Sequence, residues 1–370
     1  MDILILNWKD LKNPDVGGAE IILYELSKRL VKDGHTVTWF SRSFPGASPE
    51  DSYDGIRIIR RGGKLSVYWH AFLYYRSLLK KPDRVLDCIN TICWQTPLYV
   101  PKENRIAYTN QLAKEVLFYE LPPVFSHVSF LLEPLQYRTY RTTRFLCYSA
   151  SVRKDLTTFG IPGKNINVFP IGIDHTRYTT GKKSRDPLFV FVARLTRMKR
   201  PDVCVKAMQN VIEQYPKAKL ALVGYGPMEA KLDAMIHELR LEKNVFLVNK
   251  DHLFFDKNPK DQKIRLMQEA WGLLLPSVKE GWGMVITEAG ACGTPSIVTR
   301  VTGLRDSVVE EKTGLVVSPV PTVKELADAM GRLISDPKLR ASLSRGAKKK
   351  AGNHTWDSSY KKFSSLLRGQ

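Results

Sequence analysis

Leu273-Leu274-Leu275-Pro276-Ser277-Val278-Lys279-Glu280-Gly281-Trp282-Gly283-Met284-Val285-Ile286-Thr287-Glu288 is the stretch whose reading decides the fold. Its leucine run reads as a short buried strand, and Met284 to Cys292 as a helix that Gly293 and Pro295 end. Gly281 and Gly283 let the loop backbone approach a ligand closely. The helix start offers unpaired N–H groups and a positive dipole end, which favour phosphate. Glu280 stands in the loop and Glu288 in the second helical turn, on the same side of the unit. A carboxylate accepts two hydrogen bonds from a vicinal diol such as sugars and ribose carry. Taken singly, these pieces equally describe a glycine-rich turn with one solvated glutamate.

Outward from this stretch the same alternation repeats. Leu188 to Ala193, Leu220 to Val223, Val245 to Val248, Ser296 to Thr299 and Leu315 to Val317 read as strands. Pro201 to Gln214 and the segment from Gly226 to about Arg240 read as helices between them, and a polar insert over 256–261 precedes a helix to about Trp271. A helix-rich tail runs from Lys324 to the end. The N-terminal half opens the same way: Ile3 to Leu6 as strand, Gly17-Gly18, a helix over 19–32 that Gly34 stops, and a strand from Thr36 to Phe40. Strand, loop, helix, strand is the unit of a parallel sheet. Two such series predict two facing, doubly wound α/β domains with a ligand cleft between them, at the carboxyl ends of the strands. The boundary is expected near 170–186, giving an acceptor-binding domain over 1–173 and a donor-binding domain over 174–354, with a closing helix over 355–370 packed back on the first.

The chain has 370 residues and a net charge of +20. That balance points to phosphate-bearing ligands, an anionic membrane or nucleic acid, or simply to a solvated basic surface. No nucleic-acid-binding motif accompanies it, so a specific nucleic-acid partner is not expected. The five cysteines show no metal-ligand spacing and sit among apolar residues, which reads as free thiols in the reducing cytoplasm. The apolar start at Met1 lacks the basic flank of a signal peptide, and no run is long enough to span a bilayer.

Arg194 and Lys199 follow the strand ending at Ala193 and suit a diphosphate: a planar fork of donors beside a point charge. Arg197 and Arg200 read as solvated neighbours. Gly17-Gly18-Ala19-Glu20 is a second glycine loop entering a helix, without the glycine spacing of a dinucleotide fingerprint, which weighs against a dehydrogenase.

In this order the pieces resemble the retaining glycosyltransferases of the GT-B fold, family 4. The resemblance rests on 275–295 with its glutamate pair, Val192-Ala193-Arg194-Leu195 with Lys199, Pro170-Ile171-Gly172-Ile173-Asp174, Val223-Gly224-Tyr225-Gly226-Pro227, Gly17-Gly18 and Thr355-Trp356. It implies a hexosyl transfer with retention from a UDP- or GDP-linked sugar to an acceptor hydroxyl, the nucleotide sugar being a co-substrate and no cofactor or metal being needed. Arg194 and Lys199 would bind the diphosphate, Glu280 the transferred sugar and Glu288 the ribose. The backbone of Gly281, Trp282, Gly283, Met284 and Val285 would meet sugar and phosphate, with Gly17 and Gly18 approaching from the first domain. Gly224, Tyr225, Gly226 and Asn249 would lie toward the nucleotide. One departure stands out: where many relatives carry a histidine after a first-domain strand, this chain has Asn110. Asparagine positions but takes no proton near neutral pH. Two readings stay open, an enzyme whose donor phosphate takes the acceptor proton and a catalytically impaired nucleotide-sugar-binding subunit.

The acceptor is expected on the first domain, which is aromatic and basic: an aromatic run over 67–76 leads to Lys80-Lys81, 116–135 is rich in Phe, Leu, Tyr and Pro, and Tyr137-Arg138-Thr139-Tyr140-Arg141 follows. Apolar residues beside Lys and Arg suit a surface lying on an anionic bilayer, and equally a core with solvated charges. A lipid-linked acceptor and a peripheral position on the cytoplasmic membrane face follow from the first reading, an oligosaccharide acceptor from the second.

Overall fold

The structure, a computed structural model, describes residues 1–248 and 262–369. It divides into two compact units: Met1–Leu117 with Pro122–Gly172 and Trp356–Gln370, and Phe118–Leu121 with Ile173–Thr355. The expected polar insert over 256–261 and the candidate ligand residue Asn249 lie outside the described residues.

The first unit carries an eight-stranded sheet. Its strands are β1 (Asp2–Leu6), β2 (Thr36–Ser41), β3 (Glu50–Tyr53), β4 (Ile56–Arg60), β5 (Arg84–Ile89), β6 (Arg105–Thr109), β7 (Arg144–Cys147) and β8 (Ile166–Val168), in the order β3-β4-β2-β1-β5-β6-β7-β8. All pairings are parallel except β3 with β4. The direction of winding reverses between β1 and β5. The closing helix Trp356–Arg368 belongs to this unit: the Phe363 ring lies tilted against Phe169 with centroids 5.5 Å apart, and Tyr360 donates a hydrogen bond to Asp33.

The second unit carries β9 (Leu188–Val192), β10 (Lys219–Val223), β11 (Val245–Val248), β12 (Gly272–Leu275), β13 (Ser296–Thr299) and β14 (Gly314–Val317), all parallel, in the order β11-β10-β9-β12-β13-β14. Every residue of β9, Leu-Phe-Val-Phe-Val, is buried, because helices cover both faces. The helix Pro201–Gln214 starts on proline with Asp202 in its first turn and buries Cys204, Val205, Met208 and Val211. The helix Val323–Ser335 is capped by Thr322, whose hydroxyl accepts from Glu325 N, and buries Leu326, Met330 and Leu333 at helical spacing. Winding reverses between β9 and β12, so the crevice of this sheet opens at the carboxyl ends of those two strands. The doubly wound α/β class expected from sequence is the one found. All five cysteines are free and buried.

One reading of an individual residue needs correction. Arg200 is not a solvated neighbour of Lys199. It is buried, takes a left-handed conformation (φ 53°), and donates to Pro319 O and to the Tyr119 hydroxyl at 2.8 and 2.9 Å. Of the two readings left open for Tyr137 and Tyr140, membrane surface and core, the structure has the second: both are buried and packed near Phe145.

Candidate functional site

Four loops meet at the carboxyl edge of the second sheet, and backbone hydrogen bonds join them in a row. Leu195 N, after β9, donates to Tyr225 O, after β10, at 2.8 Å. Val278 N, after β12, donates to Met198 O at 2.8 Å, and Glu280 N donates to Thr302 O, after β13, at 3.2 Å. The row runs β10, β9, β12, β13, the strand order of the sheet. Close approach requires glycine here: a Cβ on Gly224 would lie 2.0 Å from Ala193 O, and one on Gly303 (φ 82°) 2.2 Å from Glu280 O.

This row brings Lys199 to Glu280, 81 residues apart. The Lys199 ammonium pairs with Glu280 Oε1, to which the Ser277 hydroxyl also donates at 2.9 Å. Ser277 is itself fixed, since the Thr299 hydroxyl donates to its carbonyl. Both Lys199 and Glu280 remain partly exposed. Arg194 is partly exposed, and among the described residues its guanidinium has no ion-pair or hydrogen-bond partner. Tyr225 and Gly226 are partly exposed beside it, while Gly224 is buried.

Gly281, Trp282, Gly283, Met284 and Val285 lead into the helix Met284–Ala291 and are all partly exposed. Gly283 is the N-cap, in the left-handed region at φ 79°. Ile286 N donates to the Gly283 carbonyl at 2.9 Å, while the N–H groups ahead of it lie at the positive end of the helix dipole. The Trp282 indole donates to Thr287 Oγ1 at 2.9 Å and lies 5.1 Å from His354, which fixes the loop's flank.

Glu288 is buried on that helix and pairs with Lys263, Nζ to Oε2, at 2.8 Å. Lys263 is buried too and also donates to the Tyr178 hydroxyl at 2.9 Å. Burial works against the charged lysine, but Glu288 and Tyr178 outweigh it and hold its pKa above the ordinary value. Sequence reasoning missed Lys263, Tyr178 and Ser277. A signal existed for Lys263: it shares the inward face of the helix Gln262–Glu269 with Ile264, Leu266 and Met267. A lysine on an apolar stripe calls for a buried partner.

In the first unit, Gly18 opens the helix Gly18–Lys32, and Gly17 precedes it in an extended conformation. The Gly17 N–H already donates to Glu20 Oε2 at 2.8 Å. Asn110 follows β6 directly; its Oδ1 is buried and has no hydrogen-bond partner among the described residues. Asn7 ends β1 and Asn90 ends β5, and Asn90 Nδ2 donates to Asn7 Oδ1 at 3.0 Å. Among the described residues no three His, Cys, Asp or Glu side chains cluster as a metal site, and no helix is long and apolar enough to cross a membrane.

Two doubly wound sheets, the second all parallel and the first parallel but for β3, with this loop row define the GT-B class. Sucrose-phosphate synthase from Thermosynechococcus elongatus superimposes with a TM-score of 0.80 at 19% identity, over 100% of this chain and 98% of that one. HepE from Anabaena, solved with UDP and glucose, gives 0.74 at 18% over the whole of both chains. The family model for glycosyl transferases group 1 matches residues 173–350, and that for Glycosyltransferase Family 4 matches 16–177. The chain belongs to this group 1, family 4 set of GT-B glycosyltransferases. Among curated relatives, the D-inositol 3-phosphate glycosyltransferase of Corynebacterium urealyticum is 31% identical over 56% of this chain and 50% of its own length. That of Xylanimonas cellulosilytica is 25% identical over 93% and 89%. The chain spans about half the length of the first of these relatives.

Proposed function

We propose that this chain is a metal-independent, retaining hexosyltransferase that takes a sugar from a UDP- or GDP-linked donor. The observation that carries the reading is the Lys199–Glu280 pair beside an unpartnered Arg194, at the winding reversal of the second sheet. Arg194 and Lys199 grip the diphosphate and stabilise its charge as it leaves. Glu280 holds sugar hydroxyls and Glu288 the ribose diol, while the backbone of 281–285 meets sugar and phosphate. The C1–O bond to the diphosphate breaks, the acceptor oxygen bonds to C1 on the same face, and the acceptor proton passes to the departing phosphate. No cofactor takes part. HepE, of the same fold, was solved with UDP and with UDP-glucose, so UDP is the first nucleotide to test.

Calorimetric titration with UDP and GDP, then donor hydrolysis with matched sugars, tests the proposal. Binding of neither nucleotide would sink it. Glu280→Gln is expected to abolish transfer while leaving nucleotide affinity within about threefold, because the ribose contact is on Glu288.

The alternative, a binding subunit without turnover, is favoured by Asn110 alone. General acid–base catalysis contributes roughly 10²–10⁴-fold. If the donor phosphate takes the proton, Asn110→His changes turnover less than about tenfold; a hundredfold gain would identify an impaired site.

For the acceptor, we propose a lipid-linked substrate reached on an anionic membrane from the cytoplasmic side. The helix Pro123–Gln136 supports this: Val124, Phe125, Val128, Leu131, Leu132 and Leu135 share one face and are exposed, Leu131 by 72%. Its inward side is polar, with Ser126 and Glu133 buried. Exposed apolar stripes of this kind mark docking surfaces, and the net charge of +20 suits anionic lipid. Leu131→Asp is expected to weaken sedimentation with phosphatidylglycerol vesicles about tenfold without changing nucleotide binding. Absence of wild-type binding at low salt would remove the membrane and leave an oligosaccharide acceptor. D-inositol 3-phosphate, named for the curated relatives, belongs in the acceptor panel.

A further inference from the structure

The opposite edge of the first sheet, where strands begin, gathers positive charge among the described residues. Three neighbouring strands, β5, β6 and β7, open on arginine: Arg84, Arg105 and Arg144. Each is satisfied by neutral groups. Arg84 donates to Leu367 O at 2.7 Å and Arg144 to Leu366 O at 3.3 Å; Arg105 donates to Val100 O and to the Thr142 and Thr143 hydroxyls. Carbonyls and hydroxyls meet the hydrogen-bonding needs of a guanidinium and leave its charge in place. Burial pushes the Arg144 pKa down, and the Arg84 charge adds to the shift.

A cavity of about 550 Å³ opens beside these arginines, between the loops that lead into β6, β7 and β8. Lys102, Arg141, Arg144 and Lys164 line it against a single carboxylate, Glu103. Among the described residues Lys102, Arg141 and Lys164 make no ion pair and no side-chain hydrogen bond as donors. The Arg141 carbonyl is instead tied to Asn165 Nδ2 at 2.9 Å, which holds two walls of the cavity together. Four cations facing one carboxylate in a concave wall focus positive potential. The volume falls in the range of small-molecule sites, well above that needed for a single inorganic ion.

We propose that this cavity binds a phosphate-bearing anion carrying more than one negative charge. It lies a strand length, roughly 16 Å for five residues, from the carboxyl edge where Asn110 stands. It is therefore separate from the ends of the strands at which ligands of such sheets ordinarily sit. The chemistry is shared by a soluble diphosphate and a phosphorylated lipid headgroup.

The test is equilibrium dialysis of the full chain with labelled pyrophosphate at about 50 mM salt, where surface charges are weakly screened. Two paired variants are compared: Arg141→Gln/Lys164→Gln in the cavity and Arg194→Gln/Lys199→Gln in the second unit. Arg141 and Lys164 are exposed, so the first variant should fold; its circular dichroism and melting temperature are checked. The wild type is expected to bind pyrophosphate at two sites, and the cavity variant to lose one, at least tenfold in affinity. Unchanged binding in the cavity variant, or complete loss in the Arg194/Lys199 variant, overturns the proposal. A cavity site that survives while the Arg194/Lys199 pair proves irrelevant leaves this inference standing and rejects the donor-site reading. Phosphatidylcholine vesicles with and without phosphatidylglycerol identify the source. Vesicle binding lost in the cavity variant and competed by pyrophosphate assigns the headgroup; vesicle binding unchanged, with pyrophosphate binding lost, assigns a soluble anion.

Discussion

Replacing Lys263 by methionine should destabilise the second unit by about 3–5 kcal/mol. The two side chains of the pair are nearly sealed from water, and Nζ lies 2.8 Å from Glu288 Oε2. Methionine nearly conserves volume, which by itself costs under about 1.5 kcal/mol. What the substitution removes is the countercharge and the donor to the Tyr178 hydroxyl. A carboxylate left unpaired in an apolar setting is the expensive part. For a unit of this size each kcal/mol moves the melting temperature about 2–4 °C, so calorimetry of the full chain should show a fall of roughly 6–20 °C.

The pH dependence has a definite sign. Lys263 has a raised pKa in the fold, against an ordinary lysine near 10.4 when unfolded. A raised cationic pKa contributes stability that is fully present below the unfolded value and is lost only as pH rises through the folded one. The deficit of Lys263→Met should therefore be flat between about pH 6 and 9. Adding Glu288→Gln to Lys263→Met removes the stranded charge and should recover more than half of the loss. A Lys263→Met protein within about 1 kcal/mol of wild type, or a double variant no more stable than the single, would refute the reasoning.

Further outcomes are expected elsewhere. Asp87 lies wholly buried in β5, accepting from Thr96 Oγ1 at 2.6 Å and Tyr140 OH at 2.5 Å; burial dominates and pushes its pKa up to about 6. Between about pH 4 and 6 the folded state keeps a proton that the unfolded state releases, so stability should fall by about 3 kcal/mol over that window and level off above it. Urea titrations of Asp87→Asn should lack this decline. Gly303→Ala would set a methyl group against the Glu280 carbonyl at a strained φ of 82°. It should shift Glu280 enough to lower transfer about a hundredfold while nucleotide affinity stays within about threefold. Turnover within twofold of wild type would separate that loop from the chemistry.

The strands of the second unit were legible because parallel strands covered on both faces are continuous apolar runs: β9, β11 and β13 stand within a residue of their sequence limits, whereas of the first unit's eight strands only β1 and β2 were read. The pairing of Lys199 with Glu280 was not, since it depends on the loop row after β9 and β12 rather than on spacing. Arg200 was misread because it sits in a basic cluster, and only the left-handed turn there sends its side chain inward to Pro319 and Tyr119. The helix Pro123–Gln136 shows a different limit. From sequence, 116–135 reads only as a stretch rich in Phe, Leu, Tyr and Pro, and composition cannot say which of those residues face in or out. Glu133 decides it: its carboxylate accepts Ala113 N and Lys114 N, both at 2.7 Å, and that demand turns the polar side inward.

The carboxyl edges of the two sheets differ in the polar groups they carry. In the second unit both candidate carboxylates are already held by lysines, Glu280 by Lys199 and Glu288 by Lys263. Under the proposed function a diphosphate arriving at Lys199 and a sugar diol arriving at Glu280 exchange one polar partner for another, so little new charge is desolvated on binding. The side chains are also oriented before the donor arrives, which is what a low reorganisation cost requires. The first unit ends β1, β5 and β6, neighbours in its sheet, on Asn7, Asn90 and Asn110. Amides donate and accept without titrating, and the Asn110 Oδ1 is the one of these oxygens that is buried without a partner. An acceptor hydroxyl donating to that oxygen would be oriented without being deprotonated by the protein. Under the proposed function the proton would then leave with the phosphate, whose charge Arg194 and Lys199 are proposed to stabilise.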